Sequence, residues 1–177
     1  MIRKIVIGVL LLSTWAFRTY AQKTETRLFK IEAFVDKLAL GYELPFTQVV
    51  LLDVTGGICG TLDVTGDGRF NYYYWKFNPF VRGELRFYVN KRRRMARGRT
   101  MVNNTGSFVG IQSKLFFGRG GYDASLCNEV HFGQQISIDD KFFFRYHIGL
   151  LGVALNLSEK RYKASYPSLG FSFGYVF

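Results

Sequence analysis

The chain has 177 residues and carries 24 Lys and Arg against 13 Asp and Glu, a formal net charge of +11. Aromatic residues make up 18% of it, with 19 glycines and only 3 prolines. That length suits one domain and little more. Beyond the first residues no stretch approaches the roughly 18 uninterrupted apolar residues of a membrane helix, which excludes a helical membrane protein.

At the N-terminus, Arg3 and Lys4 precede the apolar run Ile5–Leu12, and Thr19-Tyr20-Ala21 follows. A basic start, a short greasy stretch and a small residue at a cleavage point predict a signal peptide over residues 1–21. The run is too short to span a bilayer, which takes roughly 20 apolar residues. The mature part, Gln22–Phe177, is expected to form a single domain. The removed segment holds Arg3, Lys4 and Arg18 and no acid, so the remainder is less basic but still cationic. An exported chain of this kind has one route into lipid. Every backbone N–H and C=O must find a partner within the protein, and without a helix only a closed β-barrel supplies that.

From Leu28 onward the chain alternates with period two, as strands with two unlike faces do. Strands are predicted over Leu28–Val35, Leu38–Leu44, Thr47–Gly60, Pro79–Asn90, Gly106–Phe117, Asn128–Ser137, Lys141–Leu155 and Ser168–Phe177. A rival division merges the first two and makes Arg69–Lys76 a strand. Either way the fold class is all-β: an eight-stranded antiparallel up-and-down barrel. In Val81–Val89 one face is Val81, Gly83, Leu85, Phe87 and Val89, and the other Arg82, Glu84, Arg86 and Tyr88. In Phe142–Leu155, Phe142, Phe144, Tyr146, Ile148 and Leu150 oppose Phe143, Arg145, His147, Gly149 and Leu151.

Periodicity alone does not say which face is inside. Gly41, Gly110, Gly133, Gly149, Gly170 and Gly174 share the charged face, with Gly56, Gly83 and Gly152 as exceptions. Glycines suit a crowded lumen, whereas on a solvated exterior they only weaken a strand. The apolar face is also too large for the inside of an eight-stranded barrel, which holds little more than its own side chains. The polar face carries Lys30, Arg82, Arg86, Lys114 and Arg145 against Glu32, Glu43, Asp53, Glu84 and Glu129, equal in number. A lumen of matched ion pairs fits that balance, because an unpaired buried charge is expensive. A soluble lipocalin-like barrel, with aromatics in and charges out, is the alternative.

Phe173-Gly174-Tyr175-Val176-Phe177 ends the chain on an aromatic, with Phe173 and Tyr175 at alternate positions before Phe177. This resembles the C-terminal signal of outer-membrane barrels, and the mature chain as a whole is similar to the small OmpA/OmpX-type barrels. The resemblance implies insertion by the barrel-assembly machinery and an outer-membrane location in contact with lipid. It also implies a periplasmic C-terminus. Counting back from there puts Asp36-Lys37, the segment before Pro79, Gly118–Cys127 and Asn156–Pro167 outside. Pro45-Phe46, Lys91–Asn104 and Ile138-Asp139-Asp140 then face the periplasm. Lys91–Asn104 is awkwardly long for a periplasmic turn.

Other segments are less specific. Lys91-Arg92-Arg93-Arg94, with Arg97 and Arg99, reads as a solvated basic turn or a contact for an anionic partner, and in an exported chain not as a nucleic-acid patch. Asp63-Val64-Thr65-Gly66-Asp67-Gly68 opens like a calcium loop, but its twelfth position is Tyr74, not a bidentate carboxylate. Phe70, Tyr72, Tyr73, Tyr74, Trp75 and Phe77 read as an interfacial girdle. Cys59 and Cys127 fall on strands three and six, and a bridge between them requires Cα atoms within about 7 Å. His131 and His147 face the lumen near Glu129 and Ser137, at spacings that match no nucleophile–base motif. No metal, cofactor or catalytic residue is expected. The leading expectation is a structural or surface-interaction barrel that is not an open pore and meets a ligand through its outside loops. A narrow channel and a lipid-modifying enzyme are the competing readings.

Overall fold

The computed structural model describes residues 27–64, 69–99, 101–118, 123–157 and 163–177. The expected signal peptide and most of the calcium-like loop lie outside them. Eight antiparallel strands follow one another around a closed barrel in chain order. They are β1 Leu28–Phe34, β2 Lys37–Pro45, β3 Val50–Val64, β4 Phe70–Tyr88, β5 Gly106–Phe116, β6 Ser125–Ser137, β7 Phe142–Asn156 and β8 Lys163–Val176. Closure is made by β8 against β1, from Lys30 opposite Val176 to Ala33 opposite Phe173. Phe177 adds a backbone bond from its N–H to the Phe29 carbonyl at 3.0 Å.

The rival division fails, because β1 and β2 are separate strands and residues 70–76 are the start of the long β4. The favoured one fails at the upper ends. β3 runs past Gly60 to Val64, and β4 begins at Phe70 rather than Pro79. Alternation is hidden there by a bulge: Gly60 faces Phe77, yet Thr61 faces Tyr73. Pro167 likewise marks no loop. It lies inside β8, next to the register shift between Gly149 and Gly152 of β7, a position where a missing N–H disturbs no ladder. The same shift turns Gly152 inward, so it is no exception among the lumen glycines.

The expected faces are the observed ones. Leu40, Ile111, Phe132, Ile148, Leu169 and Phe173 point outward and are 49–65% exposed, whereas Lys30, Glu32, Glu43, Asp53 and Arg86 are all at 0%. Lumen glycines give cross-strand side chains room. A Cβ on Gly110 would sit 2.4 Å from His131 Nε2, and one on Gly170 would sit 2.2 Å from His147 Cε1. Gly110→Val is therefore expected to cost about 1–3 kcal/mol through overpacking, read by urea unfolding. Wild-type stability would mean that the His131 ring does not lie over that glycine.

Three layers fill the barrel. At the end where β1 begins and β8 finishes, the segment between β4 and β5 folds inward, contrary to the expectation of a solvated turn. Helix α1, Lys91–Ala96, ends on Gly98 at φ 62, whose N–H reaches the Met95 carbonyl at 3.0 Å. Glycine tolerates this left-handed helix stop. A 3-10 turn over Val102–Asn104 then carries Asn103 and Asn104, both at φ 51, a conformation for which asparagine is enriched. Lys91, Asn103, Asn104 and Thr105 are buried, and Asn104 Nδ2 donates to Glu43 Oε2 at 2.8 Å. Arg92, Arg93, Arg97 and Arg99 remain exposed. The charged middle layer lies above this floor. Beyond it, against expectation, the lumen turns apolar: Cys59, Leu62, Val64, Phe80, Phe116 and Cys127 belong to one buried cluster. Both cysteines are free thiols.

Candidate functional site

The middle layer joins charges from β1 to β4 and β7. Lys30 Nζ lies 2.8 Å from Glu32, 2.6 Å from Glu43 and 2.5 Å from Asp53. Arg86 bonds Glu43 at 2.9 Å, Glu84 at 3.0 Å and also Asp53. Arg145 reaches Glu32 at 2.7 Å and Asp53 at 2.9 Å. Arg82 bonds Glu32 at 3.2 Å and Thr55 Oγ1 at 2.8 Å. Glu32, Glu43 and Asp53 thus each meet more than one cation, the arrangement in which buried charges repay part of their desolvation.

Two of the expected partners stand apart from that network. The Lys114 ammonium rests over the rings of Phe80 and Phe116, 4.4 and 4.3 Å from their centroids. Glu129 accepts from Tyr166 Oη at 2.6 Å and from Ser168 Oγ. The sequence reading also missed members. Lys37, assigned to an outside turn, is the first residue of β2, and its ammonium turns in to Glu32 at 3.1 Å. Gln135 Nε2 donates to the Asn103 carbonyl at 2.6 Å and ties the floor to β6. Lys37 was legible as an inward position of β2, sharing parity with Gly41 and Glu43; Gln135 was legible only as a lumen-facing residue.

Above the charged layer lies a cavity of about 520 Å³, bordered by Lys37, Tyr72, Lys114, Glu129, His147 and Tyr166. Its rim includes Phe34 and the outward residues Leu169 and Phe171. The wall is low there because β1 is only 7 residues long. Its ladder with β8 stops at Ala33 and Phe173, and that of β2 with β3 stops at Lys37 and Cys59.

Two residues of the cavity wall, Glu129 and His147, belong with His131 to a group that spacing did not reveal. One ligand atom each from Glu129, His131 and His147 lies within 4.8 Å of the others. His131 Nε2 is 3.0 Å from Glu84 Oε1, and the His131 and His147 rings stack with centroids 4.2 Å apart. Ser168 Oγ donates to the glutamate and not to a histidine, so no serine–histidine pair is formed here. On the outside of the terminal strand, Phe173 packs 4.9 Å from Phe144 and Tyr175 5.1 Å from Phe142. Phe177 lies 5.5 Å from Phe29, so the expected assembly-signal residues form an outward aromatic row. Compared with protein-family models, curated proteins and solved structures, the chain matches none of them.

Proposed function

We propose that this protein is an outer-membrane β-barrel, exported through a signal peptide over residues 1–21 that is cleaved. It serves a structural or surface-interaction role and is not an open pore. The carrying observation is the inverted polarity: ion pairs with no solvent exposure inside, and aromatic and aliphatic side chains outside all around the ring. A water-soluble protein rarely exposes so broad an apolar surface, whereas hydrocarbon demands it and also demands the closed ladder. In this reading Phe173, Tyr175 and Phe177 address the chain to the barrel-assembly machinery. The end where β1 begins and β8 finishes then faces the periplasm, with α1 as its floor, and the cavity opens toward the outside loops, where a surface ligand meets the protein.

The direct test is electrophoresis of the membrane fraction with and without boiling. A folded barrel migrates differently before heating, and recovery from the periplasm without detergent would exclude insertion. In planar bilayers the plugged lumen is expected to give no discrete steady conductance. Regular steps would instead favour the narrow channel. A lipid A mass shift lost on His131→Ala would favour the lipid-modifying enzyme.

A further inference from the structure

We infer that Glu129, His131 and His147 form a binding site for a divalent transition-metal ion that takes nitrogen and oxygen ligands, with Zn²⁺ the best match. Two imidazoles and a carboxylate suit zinc and its neighbours and do not suit calcium or magnesium, which take oxygen alone.

The strongest indication is the state of His131. Its side chain is buried, at 2% exposure, and its Nε2 is held by Glu84 Oε1 at 3.0 Å. The other ring nitrogen, Nδ1, is buried with no hydrogen-bond partner. A carboxylate accepting one ring N–H leaves the second nitrogen as a bare lone pair. This is how metal-bound histidines are ordinarily oriented from behind. A buried polar atom without a partner is otherwise costly, and a cation supplies the missing contact.

The other two ligands are already close. His147 Nε2 is 3.7 Å from Glu129 Oε2, whereas two ligands at zinc distances in a tetrahedral arrangement stand about 3.4 Å apart. Glu129 accepts from Tyr166 and Ser168, and a carboxylate has about four lone-pair sites, so capacity for an ion remains. Both rings are placed by cross-strand glycines, His131 over Gly110 and His147 over Gly170. The rings are inclined by 29°, so coordination requires a modest rotation of His147, which borders the cavity. That cavity is also the entry path. Three protein ligands leave a fourth position for water or a small anion.

The test uses untagged full-length protein folded in detergent, titrated with Zn²⁺ by calorimetry and with Co²⁺ by visible absorption. One ion per chain is expected, with cobalt bands that zinc displaces. His147→Ala is expected to weaken binding by more than about 100-fold, and Glu84→Gln, which reaches the ion through His131, by about 10–100-fold. Heat-modifiable migration checks that each variant is folded; if the alanine variant is not, Glu129→Gln takes its place. Absence of stoichiometric zinc, or binding indifferent to both ligand replacements in folded protein, overturns the site. The site does not rest on the membrane reading: zinc bound by a barrel that needs no detergent would sink insertion and leave the metal standing.

Discussion

Lys30→Met lowers the stability of the folded barrel by about 3–5 kcal/mol, the cost of leaving buried carboxylates without their cation. Methionine keeps the unbranched shape and is shorter only by the ammonium position, so the packing loss is small and the electrostatic loss dominates. The reason for the size is the convergence on one ammonium of Glu32, Glu43 and Asp53, all within 2.8 Å and all without solvent exposure. Arg86 and Arg145 still face Glu43 and Asp53 in the variant, which keeps the barrel foldable. The sharper form of the experiment is a double replacement. Adding Glu43→Gln removes one of the carboxylates that lost its ammonium partner, so the pair is expected to be less destabilised than the two single changes summed. Urea unfolding followed by tryptophan fluorescence and by gel migration measures both. Strict additivity would mean that the network is not a coupled unit.

Phe171→Arg is expected to cost about 2–4 kcal/mol in lipid, the penalty for a cation on the outer face of a membrane barrel near mid-depth. Phe171 is 39% exposed, stacks on Phe34 at 5.9 Å and lies two residues from the point where β1 and β8 part. The same change on a water-facing strand is nearly neutral, within about 0.5 kcal/mol. Refolding into vesicles and into water-compatible conditions therefore gives opposite answers for the two environments. Wild-type stability of the arginine variant in vesicles would take away the main support for a lipid-facing exterior.

The outline of the barrel was legible because alternation survives wherever both faces keep their own chemistry. Val81–Val89 and Leu169–Phe177 could be assigned residue by residue, and the lumen acids and bases were named from parity alone. The signal failed where one chemistry fills both parities. Tyr72 to Trp75 are aromatic in succession, so the upper part of β4 carried no period, and the bulge at Gly60 removed what remained. At the floor, Gly98 and the Asn103-Asn104 pair held the clue. Residues that accept positive φ marked a segment with a definite shape, yet its inward direction depends on contacts with Glu43 and Gln135 from distant strands.

What the amino-acid order decided by itself is the partition of faces, since each residue's parity along a strand fixes whether it looks into the barrel or away from it. What only the tertiary structure decided is which inward groups meet. Ring closure and strand stagger bring β1 to β4 and β7 charges to one height and leave Lys114 on aromatic rings. They also set Glu129, His131 and His147 side by side across β6 and β7. Those meetings depend on register and bulges, and a shift of one ladder step, invisible in local sequence, would redistribute every partner.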